Sequence, residues 1–374
     1  MDFAATSGGL GECMVEVVDG TRRGVDAPGR GPWLPHLSSD DREVEVFGAV
    51  ALPRTIDRPS GFSQDLEPSN ERGDARMIEP ERGRPRARQI KDTDLDFLVQ
   101  FFVRGLGHNE AYFTRVLREL KNRDAPDGYP KYGYVLECDG VIVGAVLQIF
   151  AQMPPGSVPA VRCHVTSWHV EPQFRPLAAL FFRKALTFPN VTYINVSAPS
   201  RTRPIIFMQG FETYSHGQFY SLPLISGLFP RGGGAQILPG DRVPDAAVEP
   251  GDCELLSYHA KLGCIALWCV TEERAYPFVF HTRLFRGFFP GAQLIYCRDV
   301  GDVARFSGPL ALYLTARGIV VLRIDANGPI PGLAGVFRLG TEPRHCRGPA
   351  PRLGDLAYTQ LVLGPFIQKK DWVK

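Results

Sequence analysis

The stretch Val170–Leu186, VEPQFRPLAALFFRKAL, constrains the fold more than any other part of this 374-residue chain. An apolar strand pattern, CHVTSWHV, runs into Glu-Pro-Gln-Phe-Arg-Pro, and an apolar helical pattern begins at once. A strand that hands over to a helix with so little loop belongs in a layered α/β structure, where each element buries one face against the other. The same junction has chemical potential. A helix start leaves backbone N–H groups without intrahelical partners and carries about half a positive charge, which suits an anion. Arg175 adds a guanidinium that matches phosphate geometry. Pro176 removes one N–H donor, yet its fixed φ suits the first helical position. A phosphate site and an ordinary strand–helix connection both fit this junction.

The neighbouring segments extend the α/β pattern. IKDTDLDFLVQFFVRGL predicts a helix capped at Asp92 or Thr93, and NEAYFTRVLRELKNRD a second helix. GYVLECDGVIVGAVLQIFA predicts a hairpin turning at Asp139-Gly140. After the quoted helix come a strand (VTYINVSAP), a short helical piece (RPIIFMQG) and a strand near FETYSHGQFYSLPLI. Beyond a Pro/Gly-rich connector, ELLSYHAKLGCIALWCVTEE and YPFVFHTRLF read as paired strands and AQLIYCRDV as another. DVARFSGPLALYLTARG reads as a helix and IVVLRIDA as a strand. RPLAALFFRKALTFPNVTYINVSAP and GPLALYLTARGIVVLRIDANGP share Pro-Leu-Ala, an apolar helix, and a strand ending in Ile-Asn or Ile-Asp. This points to an internal duplication whose second copy lacks the first two helices. Leu267, Phe278 and Leu294 are then expected on a sheet face that the first copy must cover.

The ordered set of elements over residues 87–225 resembles the GNAT superfamily of N-acetyltransferases. VEPQFRPLAALFFRKAL matches that family's V-x-P-x-x-R-G-x-G-x-G/A stretch, and Gln209-Gly210-Phe211 its Gly-Phe ending. The resemblance implies a mixed α/β sheet flanked by helices, followed by a second, degenerate GNAT-like half. The expected divisions are a mostly disordered tail (1–86), an acyltransferase domain (87–225), a linker (226–252) and the second half (253–374). It further implies acetyl-CoA or another acyl-CoA as donor, with an unidentified small-molecule or peptide acceptor offering an amine or hydroxyl. The CoA pyrophosphate would meet Arg175 and the amides of Leu177, Ala178 and Ala179. A polarising amide would lie near His169 and Val170, and Asn195 would brace the parted strands.

The sequence departs from the family pattern at the junction, where Pro176 and Ala178 replace expected glycines. The tyrosine common in the family four residues before the Gly-Phe glycine is here Ile206, so the acid is missing; Tyr214 and Tyr220 lie on the next strand. His164 is the candidate general base: an imidazole near its ordinary pKa accepts a proton at neutral pH. Strand alternation puts His164 with Thr166 and Trp168 on one face, and Ser167 and His169 on the other. A catalytically silent binding or regulatory module with the same fold is the competing reading.

Bulk properties exclude other classes. The net charge of +2 argues against nucleic-acid binding, and no apolar run reaches the length of a membrane span. The first residues lack a basic segment followed by an apolar one, so a cytoplasmic protein is expected. The eight cysteines include no C-x-x-C pair, which argues for reduced thiols and no metal. Before residue 87 only EVEVFGAVAL reads as a marginal strand, and Met77 is an alternative start.

Overall fold

The computed structural model describes residues 83–359, except 108, 155, 156, 229, 230 and 286. The expected disordered tail (1–86) up to residue 82, the EVEVFGAVAL strand, the alternative start at Met77 and the last fifteen residues lie outside the described residues. Every described residue belongs to one compact unit, Arg76–Lys374.

The first half runs β1 (Arg86–Gln89), α1 (Leu95–Leu106), α2 (Glu110–Asn122), β2 (Gly133–Cys138), β3 (Val141–Gln152), β4 (Val161–Val170), α3 (Ala178–Ala185), β5 (Val191–Asn195), α4 (Arg203–Met208) and β6 (Glu212–Ser221). The hairpin turns where expected: Asp139 and Gly140 both have positive φ, 52° and 77°. The cap of the first helix differs from expectation. Asp94, not Asp92 or Thr93, closes it by accepting the Lys91 N–H at 2.8 Å, while Asp92 accepts from the Tyr132 hydroxyl.

The second half follows as α5 (Pro223–Leu228), β7 (Gln236–Pro239), α6 (Asp252–Lys261), β8 (Ile265–Val270), β9 (Ala275–Phe285), β10 (Phe289–Cys297), α7 (Gly301–Arg305), α8 (Ser307–Thr315), β11 (Val321–Ala326) and β12 (Gly335–Arg347). All strands join one sheet of order β1-β2-β3-β4-β5-β12-β6-β11-β10-β9-β8-β7. Its pairing sense reads the same from both ends. β4 and β5 are parallel, as are β10 and β11, and the other pairs are antiparallel. The register partners are equally spaced along the chain in both parallel pairs, Val161 with Val191 in one and Gly291 with Val321 in the other. The structure is thus duplicated.

The two copies exchange strands at the centre. β12 lies between β5 and β6, and β6 pairs with β11. The 226–252 segment supplies edge strand β7, which pairs with β8.

A correction concerns cover. ELLSYHAK is a helix, not a strand. Asp252, Leu255, Leu256 and His259 are its buried side chains, one stripe at helical spacing. α6 joins α1 and α2 on one face, where a continuous core runs from Leu98, Phe102 and Phe113 to Leu256, Trp268, Val279 and Ile295. On the other face, α3 and α4 cover the first copy and α7 and α8 the second. Leu267, Phe278 and Leu294 are buried with Phe306, Leu310 and Leu314 of that second group, not on a bare face.

Candidate functional site

Strand β4 is irregular where the site was expected. Thr166 pairs with Leu147 and His169 with Ala145, so one extra residue enters β4 between them. Ser167 takes up the kink with φ of 49°. Adding one residue to a strand swaps the faces of everything beyond it. His169 therefore shares a face with His164 and Thr166, contrary to simple alternation. Trp168 turns to the opposite face and stacks on Phe182 of α3, ring centroids 4.5 Å apart.

The two parallel strands part at the same place. β4 pairs with β5 from Val161↔Val191 to His164↔Ile194 and no further. Val165–Val170 continues with β3 on one side only. This leaves a gap in the ladder beside a kinked stretch of main chain.

His169 stands at the gap, half-buried, under α1. Phe101 packs on its ring at 5.1 Å. A Cβ added to Gly105 would fall 2.4 Å from the imidazole, so a larger residue there would force the ring or α1 to shift. Burial lowers the His169 pKa; Glu171 opposes the shift, and Arg175 and Arg104 add to it. The field at His169 thus includes Arg104, which the sequence reading missed because it lies on another helix. Val170 is buried and pairs with Gly144, and the Glu171 N–H donates to Val143 O, closing β4.

The junction is tighter than the sequence suggested. Pro172–Leu177 forms a 3₁₀ helix that leads into α3, and the Ala178 N–H donates to Arg175 O. That amide is already engaged by the chain itself. Arg175 is exposed, Leu177 and Ala179 are half-buried and Ala178 is buried. The structure brings Arg175 close to His169 but does not present Leu177, Ala178 and Ala179 as a row of unbonded donors.

His164 is sealed. It is 1% exposed, and its Nε2 lies 3.1 Å from Ala357 O, which makes that nitrogen the donor. Nδ1 is buried with no hydrogen-bond partner. Burial, then the Arg162 charge, pushes its pKa down to about 3. The segment carrying Asp355 and Ala357 covers His164. Asn195 Oδ1 accepts the Ser197 N–H at 3.1 Å and so caps the turn after β5, while its backbone pairs with His345 of β12.

Asp325 and Asp355 are both buried ion-pair partners, of Arg344 and Arg162. A cavity of about 590 Å³ lined by Asn122, Arg123, Gln152, Tyr258, Lys261 and Tyr358 lies between the halves. Gln152 pairs with Val161, so this cavity sits at the end of β4 remote from the bulge. Among the described residues no cluster of His, Cys, Asp or Glu is arranged to hold a metal ion, and no helix is long and apolar enough to cross a membrane.

No protein-family model matches the chain, and no curated protein matches it. Solved structures similar to it include a GCN5-related N-acetyltransferase from Anabaena variabilis: 12% identity, TM-score 0.45, covering 71% of this chain and 72% of that one. Another is a GCN5-related N-acetyltransferase from Kribbella flavida: 14% identity, TM-score 0.45, covering 70% of each chain. A GNAT family acetyltransferase from Brucella melitensis, solved with acetyl-CoA, matches 35% of this chain and 84% of its own at 15% identity and TM-score 0.28. These likenesses are of fold alone.

Proposed function

We propose that this protein is an acyltransferase that moves an acyl group, acetyl or another short chain, from acyl-CoA to an amine or hydroxyl acceptor. The observation that carries this reading is the bulge at Ser167 beside the parting of β4 and β5 after His164 and Ile194. A thioester laid in that gap would find main-chain donors on Val165–Val170 to polarise its carbonyl, the interaction that most assists acyl transfer. On this reading Arg175 and Arg104 meet the pyrophosphate, since the Ala178 amide is taken. Of the two strand histidines, His169 takes the proton from the acceptor. It stands at the gap, only half-buried, and its lowered pKa keeps it neutral at pH 7.

Calorimetry with CoA tests the proposal. Binding is expected, and Arg175→Ala should weaken it by roughly 1–3 kcal/mol, the value of a charged hydrogen bond. An absence of CoA binding in the full chain would leave the second reading, a catalytically silent GNAT-fold binding or regulatory protein. Two observations favour that alternative: Ile206 is fully buried where the family commonly has tyrosine, and His164 is sealed.

A further inference from the structure

Where the exchanged strands meet, the face that carries α1, α2 and α6 holds an ion cluster instead of apolar side chains. Arg344 Nε donates to both oxygens of Asp325, at 3.2 and 3.0 Å, and its Nη1 donates to Val196 O. Arg323 Nε donates to Gln293 Oε1, and its Nη1 donates to Glu342 Oε1 at 2.6 Å. The other Glu342 oxygen lies 3.6 Å from Arg344 Nη1. Arg283 completes the cluster; burial, then the Arg323 charge, pushes its pKa down to about 10. Three guanidiniums thus share two carboxylates. Arg323 and Arg344 each keep Nη2 buried with no hydrogen-bond partner, as do the Tyr214 hydroxyl and Gln218 Oε1 nearby.

Glu342 differs from the groups it bridges. Its side chain is 46% exposed, whereas those of Arg323 and Arg344 are 2% and 0% exposed. It belongs to an irregular stretch of β12: Leu339 pairs with Gly217 and Arg344 with Ser215, so Gly340–Pro343 bulges out opposite His216 alone. Glu342 has φ of 40° immediately before Pro343, a conformation that a residue with a Cβ adopts at a cost. A strained, half-exposed carboxylate therefore covers two buried guanidiniums with unused donors.

We infer that Arg323 and Arg344 form a binding site for a small oxyanion, a carboxylate or a phosphate, and that Glu342 is an exchangeable carboxylate which swings out to admit it. Exchange keeps the arginines neutralised, relaxes the bulge, and lets further oxygens reach Nη2 groups that Glu342 leaves unbonded. The inference does not depend on acyl transfer.

The test uses the full chain and Glu342→Gln, a substitution of equal shape on a half-exposed side chain. At low ionic strength the variant should melt below the wild type, because two buried guanidiniums lose a counter-ion. Acetate or phosphate should restore the lost Tm at concentrations about ten-fold below those of chloride, since charge-assisted paired hydrogen bonds favour an oxyanion over a halide. Stronger rescue by phosphate would assign a phosphate-bearing ligand, and stronger rescue by acetate a carboxylate. An unchanged Tm in the variant overturns the inference. So does equal rescue by chloride at matched ionic strength, which is screening alone.

Discussion

Arg162 and Asp355, 193 residues apart in the chain, meet as a buried two-pronged ion pair, Nη1 to Oδ1 at 2.9 Å and Nη2 to Oδ2 at 3.0 Å. Asp355 lies on a strap that also bonds to β10: the Cys297 N–H donates to Gly354 O, and the Leu356 N–H donates to Ile295 O. The strap thereby ties β4 of one copy to β10 of the other, with His164 beneath it.

Asp355→Asn should destabilise the protein by about 3–5 kcal/mol in a denaturant titration, because it leaves Arg162 charged and unpaired in the interior. Arg162→Met combined with Asp355→Leu should recover much of the loss, since an apolar pair needs no partner. Burial works to raise the Asp355 pKa, but the Arg162 charge and hydrogen bonds prevail and hold it down at about 2. A carboxylate depressed in the folded state stabilises above its unfolded pKa and loses that contribution as pH falls. The wild type should therefore lose stability between about pH 4 and pH 2 more steeply than the variant does.

Two buried histidines act at higher pH. Burial holds both His164 and His259 near a pKa of about 3 in the folded state. Unfolded histidine binds its proton below about pH 6.5, so the unfolded state gains protons first as pH falls. Each residue should remove up to about 1.4 kcal/mol per pH unit as pH drops from about 6.5 toward about 3. NMR titration should show neither imidazole becoming charged between pH 5 and 8. A pKa near 6.5 for His164 would contradict the sealed environment described above.

Gly105→Ala sets two effects against each other. Alanine favours a helix interior by about 1 kcal/mol over glycine. Here its Cβ would press on His169, and overpacking should cost about 1–3 kcal/mol. The single variant is expected to melt at or below the wild-type temperature. Placed on a His169→Ala background, the same substitution should raise Tm. Equal effects of Gly105→Ala in both backgrounds would show that α1 does not bear on His169.

Trp168 separates packing from polarity. Its ring stacks on Phe182, while its Nε1 is buried with no hydrogen-bond partner. Trp168→Phe keeps an aromatic ring and removes the unbonded donor, so its stability change should stay within about 1 kcal/mol. Trp168→Ala empties the space against α3 and should cost about 3–5 kcal/mol. Thermal melts of the two variants distinguish these outcomes.

Arg104→Ala should weaken CoA binding by roughly 1–3 kcal/mol, as Arg175→Ala should, if both guanidiniums meet the pyrophosphate. A loss with Arg175→Ala but none with Arg104→Ala would confine the contact to the 3₁₀ turn.

The local grammar of the fold was legible where short-range chemistry decides. Asp139-Gly140 marked its hairpin because few residue pairs accept two positive φ values. The repeated Pro-Leu-Ala, helix and strand unit exposed the duplication, and the equal spacing of the two parallel pairs bears it out. α6 was legible too, in the helical spacing of Leu255, Leu256 and His259, but the apolar run after it drew the reading toward strand. What stayed hidden was non-local. Nothing near Gly335–Arg347 states that this strand lies between β5 and β6. Ser167 carries the bulge without being glycine or proline, so face assignments beyond it were inverted. Arg162, Arg323 and Arg344 are buried against the general preference of arginine for the surface, because each finds a carboxylate from a distant segment.

The strand exchange also sets an order of events for a growing chain. β5 and β6 emerge early but are separated in the finished sheet by β12, which is synthesised long after both. A nascent first half must hold its central strand edges apart, or pair them wrongly and later release them, until β12 arrives. Exposed strand edges are sticky, and contacts between distant segments form slowly. Production of this protein should therefore be sensitive to translation rate through its last third and to chaperones that shield open sheet edges.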